Sequence, residues 1–191
     1  EDVDAERQAE RAALHERALT LLHRAHALRE VVTAVGEVVG AEALVRWNHP
    51  LLGTLAPVAF FKIAEEINVV GAMDRIMLNK AVADQAAMQA AGIDIGRVSV
   101  NVSLRRLDDP KLLEHVRALK LKPGTVAFEL VESIFLDECD DQHTFNIEKL
   151  KALGVDIEID DFGTGHASIV SLVKVKPHRL KIDRQLITPV V

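Results

Sequence analysis

The chain has 191 residues, 49% of them hydrophobic and 27% charged, which is ordinary for one globular domain with a sizeable core. Its formal net charge of −6 argues against a nucleic acid polymer as partner, because such partners usually need a basic patch. There is no apolar run of about 18 residues and no secretory signal, and the single Cys139 suits a reducing compartment. We therefore expect a cytoplasmic chain without membrane contact.

The first segment, from about Ala5 to Val31, predicts a helix. It contains no Gly or Pro, is rich in Ala, Leu, Glu and Arg, and repeats apolar residues at three- and four-residue steps. Two interpretations remain open: a packed first helix of the domain, or a connector from an upstream sensory or regulatory module. We accordingly divide the chain into a helix or connector over residues 1–31 and one domain over residues 32–191.

Beyond Gly36, predicted strands alternate with predicted helices. The strands cover residues 38–47, 97–103, 125–131, 156–160 and 180–182. The helices cover residues 57–92, with an interruption near Gly71, then 111–120, 144–153 and 167–173. Such alternation with short connections is typical of βαβ units and a parallel sheet, a pattern shared by doubly wound sheets and TIM barrels.

Polar residues lie in or near the carboxyl halves of four predicted strands: Glu42, Asn101, Glu129 and Asp160. Parallel α/β sheets build ligand sites at that end, and a barrel gathers many strand ends around one centre. We therefore expect a TIM-like (β/α)8 barrel. A single acid of this kind is more often a solvated strand end or helix cap, but five such residues, with Asp161 included, favour a common site.

These five residues offer only oxygen ligands, which suit Mg²⁺, Mn²⁺ or Ca²⁺. Adjacent Asp160 and Asp161 can serve two cations, and two metals about 3.5–4 Å apart stabilise both the attacking and the leaving oxygen of a phosphoryl displacement. Lys181 adds a positive charge. The glycine-containing segment from Asp160 to Gly165, with the Thr164 hydroxyl, predicts a loop that binds phosphate or shapes a metal site.

Five motifs, in this order, resemble those of the EAL domain family. They are Glu42-Ala43-Leu44-Val45-Arg46-Trp47 with His49-Pro50, Asn101-Val102-Ser103, Glu129-Leu130-Val131-Glu132-Ser133, the Asp160–Gly165 segment, and Lys181-Ile182-Asp183. The match runs from about Gly36 to Ile187. Any one of these motifs is ordinary, but the series is specific.

The resemblance implies a phosphodiesterase that opens cyclic di-GMP to linear pGpG with Mg²⁺ or Mn²⁺, in a two-metal site that Ca²⁺ inhibits. It implies one metal on Glu42, Asn101, Glu129 and Asp160, and a second on Asp161. Lys181 would support the nucleophilic water and act in catalysis together with Glu42 and Asp160. Leu44 and Arg46 would contact the dinucleotide, and Glu132 with Thr164 would anchor the loop. It also implies a homodimer and an upstream sensory or diguanylate cyclase domain.

Two departures from the family pattern keep alternatives open. The family usually carries a Gln-Pro pair on its first strand, where this chain reads Leu28-Arg29-Glu30-Val31-Val32. The family also continues with further strands after the position of Val191, so we expect the barrel to be incomplete at this end. The alternatives are a degenerate EAL module that binds cyclic di-GMP without cutting it, and an interaction or dimerisation module that uses the first helix.

Overall fold

A computed structural model describes residues 26–32, 37–132, 141–164 and 169–188. Predictions about residues 1–25, Cys139 and Gly165 lie outside the described residues. The strands are β1 (His26–Val32), β2 (Val38–Val45), β3 (Trp47–His49), β4 (Gly53–Leu55), β5 (Arg97–Asn101), β6 (Val126–Val131), β7 (Asp156–Phe162) and β8 (Arg179–Ile182). The helices are α1 (Phe61–Glu66), α2 (Val70–Ala90), α3 (Leu104–Leu107), α4 (Leu112–Leu119), α5 (Asp141–Ala152), α6 (Ile169–Val175) and α7 (Arg184–Ile187).

One sheet has the strand order β1-β2-β5-β6-β7-β8, and β3 pairs with β4 in a separate hairpin. From β2 to β8 every neighbouring pair in the large sheet is parallel, as the alternation of strands and helices predicts. The described residues thus form part of a TIM-like barrel, a mixed α/β half-barrel sheet with helical crossovers, which confirms the predicted fold class.

The first strand corrects one prediction. Residues 26–32 form β1, antiparallel to β2, with Leu28 opposite Ala43 and Arg29 opposite Glu42. The helix predicted over Ala5–Val31 is therefore wrong from residue 26 onward. Helix formers dominate this stretch, but pairing with β2 overrides their weak intrinsic preference. The domain division at residue 31 stays a prediction.

Alternation along the central strands separates an apolar face from a polar face. The apolar face of β5, β6 and β7 consists of side chains at most 1% exposed, namely Val98, Val100, Val126, Phe128, Leu130, Ile157 and Ile159. They pack against helical residues that include Met77, Leu78, Ala81, Leu112, Val116, Ile147 and Leu150. Full burial of one such large side chain contributes about 1.5–3 kcal/mol, so this face holds the helices on the sheet. The other face is left for polar side chains.

Two local features differ from the sequence prediction. The helical region over residues 57–92 breaks before Val70, where Asn68 has a φ of 60°, so the interruption precedes Gly71. The β3–β4 hairpin was not predicted, because three-residue strands give too short a pattern.

Between β2 and β5, a Cβ atom on Gly96 would lie 2.8 Å from the Val39 carbonyl oxygen. Glycine permits this close approach.

The length and hydrophobicity of a helix decide whether it could span a membrane. Within the described ranges, no helix is both long enough and apolar enough to cross a bilayer.

Candidate functional site

The four predicted strand-end ligands come from neighbouring strands of the sheet. Glu42 lies on β2, Asn101 on β5, Glu129 on β6 and Asp160 on β7. Asn101 and Glu129 are register partners on adjacent strands, and Asp160 pairs with Val131, two residues beyond Glu129. Because alternate residues of a strand share a face, the fold brings these side chains together toward the carboxyl ends of the strands.

Glu129 is the most deeply buried of these ligands, with 1% of its surface exposed. Its Oε1 accepts a hydrogen bond from the Lys181 ammonium group, whereas its Oε2 has no hydrogen-bond partner among the residues described. Burial raises the pKa of Glu129 to about 7 against the opposing contact with Lys181, and the charges of Glu42 and Asp160 raise it as well. A buried oxygen without a partner is unfavourable, so a cation would complete its environment.

Glu42 is contacted by two cations and an amide. Its Oε2 accepts a hydrogen bond from the Arg29 guanidinium group and lies 3.7 Å from Lys181 Nζ. Its Oε1 lies 3.5 Å from Asn101 Nδ2, at the long limit of a hydrogen bond. Lys181 therefore bridges Glu42 and Glu129, and Arg29 closes the outer side of the same carboxylate.

The backbone is irregular at the two consecutive aspartates. The register of β7 against β8 shifts between Ile159 and Phe162, and Asp161 has a φ of 54°, a left-handed conformation that Asp adopts more readily than most residues. Such bulges redirect side chains beside functional sites. Burial raises the pKa of Asp161, and the charges of Asp160 and Asp183 raise it further, whereas Lys181 lowers it. Both aspartates thus belong to one charged cluster.

Glu132 holds the turn that follows these aspartates. Its Oε2 accepts hydrogen bonds from the Gly163 N–H at 3.0 Å, the Thr164 N–H at 2.9 Å and the Thr164 hydroxyl at 2.9 Å. Glu132 is 3% exposed, so these bonds to a carboxylate are shielded from water and stronger than neutral ones. The contact links the end of β6 to the loop after β7.

A cavity of about 650 Å³ opens beside the carboxylates. Its lining includes Glu42, Leu44, Asn101, Glu129, Phe61, Asp74 and Arg105. Leu44, predicted to contact the ligand, thus faces this space. The guanidinium group of Arg46, the other predicted contact, donates a hydrogen bond of 2.7 Å to the Val45 carbonyl oxygen.

Asp74 is a further residue of this cavity that the sequence did not reveal. Its Oδ2 accepts hydrogen bonds from the Ser103 N–H at 2.9 Å and the Ser103 hydroxyl at 2.5 Å. Burial raises the pKa of Asp74 to about 6, although the bonds from Ser103 and the charge of Arg106 lower it. Asp74 thereby fixes the backbone two residues after Asn101. No sequence pattern links positions so far apart along the chain.

Divalent cations fit the chemistry of this cluster but have no preassembled cage. In the part of the chain that the structure describes, no group of three or more His, Cys, Asp or Glu side chains is arranged to hold a metal ion. Glu42 and Glu129 are directed toward Arg29 and Lys181 instead. The donors are all oxygen atoms, the choice of Mg²⁺ and Mn²⁺, and the unpartnered Oε2 of Glu129 offers one free ligand.

Arg29 is the other contact that the sequence analysis missed, since the predicted helix placed it away from any strand. The available signal was the β-branched pair Val31-Val32, which favours a strand where the surrounding residues favour a helix. Once β1 is recognised, its register places Arg29 opposite Glu42.

Known proteins are similar to this chain in sequence and fold. Residues 16–191 match the family model described as "EAL domain". Cyclic di-GMP phosphodiesterase NbdA of Pseudomonas aeruginosa is 36% identical over 158 residues, which cover 81% of this chain and 20% of NbdA. Bifunctional diguanylate cyclase/cyclic di-GMP phosphodiesterase MucR of the same organism is 33% identical over 181 residues, which cover 93% of this chain and 26% of MucR. The chain thus spans about a fifth to a quarter of these curated relatives.

The fold comparison agrees with the sequence comparison. A solved structure described as the PaMucR phosphodiesterase in complex with c-di-GMP superposes with a TM-score of 0.82 at 28% identity. The match covers 95% of this chain and 75% of that one. The chain belongs to the EAL domain family and is related to cyclic di-GMP phosphodiesterases.

Proposed function

We propose that the protein hydrolyses cyclic di-GMP in a metal-dependent reaction. Water adds to one phosphorus, one phosphodiester P–O bond breaks, and the ring opens to linear pGpG. The observation that carries this proposal is the convergence of Glu42, Asn101, Glu129 and Asp160 from four neighbouring strands, with Lys181 beside them.

Glu42, Asn101, Glu129 and Asp160 would hold one Mg²⁺ or Mn²⁺, and Asp161 would help to hold a second. When bound, these ions would polarise the scissile phosphodiester and activate the attacking water. The larger Ca²⁺ accepts more ligands at longer distances, so we expect it to inhibit. The unpartnered Oε2 of Glu129 supports a cation at this place.

Lys181 supplies a fixed positive charge to the reaction. Its ammonium group is held by Glu129 and lies 3.7 Å from Glu42, and only 22% of the side chain is exposed. An ammonium group donates hydrogen bonds and accepts none. Lys181 would therefore donate a hydrogen bond to the oxygen of the attacking water and so orient it. It would also stabilise negative charge that develops on the phosphate.

The surrounding residues would position the substrate and the aspartates. Leu44 lines the cavity and would contact the dinucleotide together with Arg46. Glu132 and Thr164 would anchor the loop after Asp161 through the hydrogen bonds between them. A displacement of this loop would move Asp161 out of place.

A non-catalytic cyclic di-GMP receptor is the second candidate function. One observation favours it: Glu42 and Glu129 are already paired with Arg29 and Lys181. If those pairs persist in solution, the site would hold nucleotide without completing its metal shell. Binding of cyclic di-GMP without turnover at saturating Mn²⁺ distinguishes this candidate from the phosphodiesterase.

Homodimerisation and an upstream sensory or diguanylate cyclase domain complete the proposal. MucR, one of the relatives, is described as a bifunctional diguanylate cyclase and phosphodiesterase, which supports a multidomain context. Light scattering on the purified chain, with and without cyclic di-GMP, measures the oligomeric state. A monomer at all concentrations would contradict the dimer.

The direct test is hydrolysis of cyclic di-GMP by the full chain with Mg²⁺ or Mn²⁺, with nucleotides separated by chromatography. We expect pGpG from the wild type and a loss of about a hundredfold or more in Glu42→Gln, because a ligand should matter at least as much as the groups that orient it. Glu114→Gln, an exposed acid on α4, is the matched control. Absence of pGpG with nucleotide still bound supports the receptor, and absence of both binding and turnover contradicts the family function for this chain.

A further inference from the structure

Arg29 stands in the candidate metal site although it is neither an oxygen ligand nor part of the proposed reaction. Its guanidinium group donates to Glu42 Oε2, the same oxygen that lies 3.7 Å from Lys181 Nζ. Two cationic side chains therefore compete for one carboxylate oxygen. A metal ion that used this oxygen would have to displace at least one of them.

Arg29 is the easier of the two to displace. Its side chain is 67% exposed, and Glu42 is its acidic partner among the described residues. Lys181 is 22% exposed and also contacts Glu129, so it would leave two carboxylates at once. Because the Arg29 side chain is already largely in solvent, its guanidinium group can be hydrated as soon as it leaves Glu42. The less exposed Lys181 has less access to water.

Electrostatic repulsion opposes metal binding at this oxygen while the Arg29 contact is in place. Glu42 itself is 4% exposed, so a cation beside it is poorly screened by solvent. A guanidinium group and a divalent ion bound to the same oxygen would be close neighbours of like charge and would repel each other strongly.

We propose that Arg29 competes with the divalent cation for Glu42 Oε2, an inference that rests on the proposed metal site. Its guanidinium group occupies Glu42 Oε2 in the metal-free chain and swings into solvent when the ion binds. Arg29 thereby sets the metal affinity of the site without contacting the metal. It is a positioning residue of Glu42 and not a catalytic one.

The test is Mn²⁺ binding to the full chain without nucleotide, followed by calorimetry or by the electron paramagnetic resonance signal of free Mn²⁺. We expect Arg29→Gln to bind Mn²⁺ about three- to fivefold more tightly, the scale of a half-exposed ion pair. Arg29→Lys keeps the charge and should lie between the two. Arg117→Gln removes an exposed positive charge on α4 and should leave the affinity unchanged. In EDTA, Arg29→Gln should melt no higher than the wild type, which excludes a general gain in stability.

Equal or weaker Mn²⁺ binding by Arg29→Gln would overturn the inference while the proposed function stands. Glu42→Gln separates the two: it should weaken Mn²⁺ binding if the ion uses this carboxylate. If Glu42→Gln binds Mn²⁺ as the wild type does, or if the wild type binds none, the metal site is contradicted and the inference falls with it.

Discussion

The polar face of the sheet carries two charged clusters that behave differently. The carboxyl-end cluster contains Glu42, Glu129, Asp160, Asp161, Arg29 and Lys181. The amino-end cluster contains Arg97, Asp156, Glu158, His178 and Arg179. Both arise from the same alternation of side chains along parallel strands.

At the amino end, both acids of β7 have cationic partners, from β5 across the intervening β6 and from the start of β8. Arg97 pairs with Asp156 and lies 3.4 Å from Glu158, and Arg179 lies 3.5 Å from Glu158. Glu158 is completely buried and accepts a further hydrogen bond of 3.0 Å from the Ser99 hydroxyl. This ion network ties β5, β7 and β8 together.

At the carboxyl end, four acids face two cations, and a cavity adjoins the cluster. The contrast matches the general rule that the carboxyl ends of barrel strands carry function and the amino ends carry stability. We therefore expect the same residue types to stabilise the fold at the amino end and to bind a cation at the carboxyl end.

The largest expected effect is on metal affinity. Glu129→Gln should weaken Mn²⁺ binding by about a hundredfold or more, because it removes the charge of a proposed direct ligand. Asp156 of the amino-end cluster lies opposite Ala127, two residues before Glu129, and is the matched control: Asp156→Asn should change Mn²⁺ affinity by less than about threefold, because its partly exposed charge is already paired with Arg97. Titration calorimetry measures both. Equal losses in the two variants would erase the distinction between the clusters.

The free energy of unfolding should depend more on Glu158 of the amino-end cluster than on Glu129 of the carboxyl-end cluster. Glu158→Gln should lower the free energy of unfolding by about 2 kcal/mol, below the usual cost of breaking a buried ion pair because its arginine partners are partly exposed. In EDTA, Glu129→Gln should change the free energy of unfolding by less than about 1 kcal/mol, since burial already disfavours the charge of the Glu129 carboxylate. Urea denaturation measures both variants, and a reversed order would be evidence against a structural amino end.

The loop contact should have an intermediate effect on activity. Glu132→Gln should lower cyclic di-GMP hydrolysis by about tenfold, because the loop behind Asp161 loses its charged acceptor, an outer-shell change. Hydrolysis rates at saturating Mn²⁺ measure this effect, with Glu114→Gln as the surface control. Full activity in Glu132→Gln would show that the loop is held by other contacts.

The smallest expected effect is the pH dependence from Asp74. Its pKa is raised to about 6 by burial, above the usual value for Asp, so the folded chain holds this proton more tightly than the unfolded chain. Stability from this group is complete at low pH and falls as the pH rises, by about 1 kcal/mol between pH 5 and 6. Asp74→Asn should remove that slope, as unfolding titrations at several pH values would reveal. Parallel profiles for the two proteins would contradict the assignment.

Much of the fold could be predicted because the chain repeats strong local patterns. Apolar side chains such as Val98 and Val100 alternate with polar ones, and this period places Asn101 on the polar face. The same reasoning placed Glu129 and Asp160 near strand ends. The half-barrel and the positions of the four polar strand-end residues follow from local sequence together with the rule for parallel sheets.

The rest depends on contacts that no local pattern contains. β1 forms because it pairs with β2, in spite of helix-forming residues, and only that register places Arg29 against Glu42. The amino-end cluster joins Arg97 to Asp156, 59 residues apart in sequence. The orphaned oxygen of Glu129 likewise exists only after the sheet has assembled.

The most direct test of a cation site at the carboxyl end is anomalous diffraction from crystals of the full chain grown with Mn²⁺. We predict an anomalous peak within about 2.5 Å of oxygen atoms of Glu42, Asn101, Glu129 and Asp160, the range for hard-cation ligands. In the same crystals, Arg29 should have left Glu42. A peak at the amino-end cluster, or no peak with Lys181 and Arg29 still paired to the acids, would contradict this prediction.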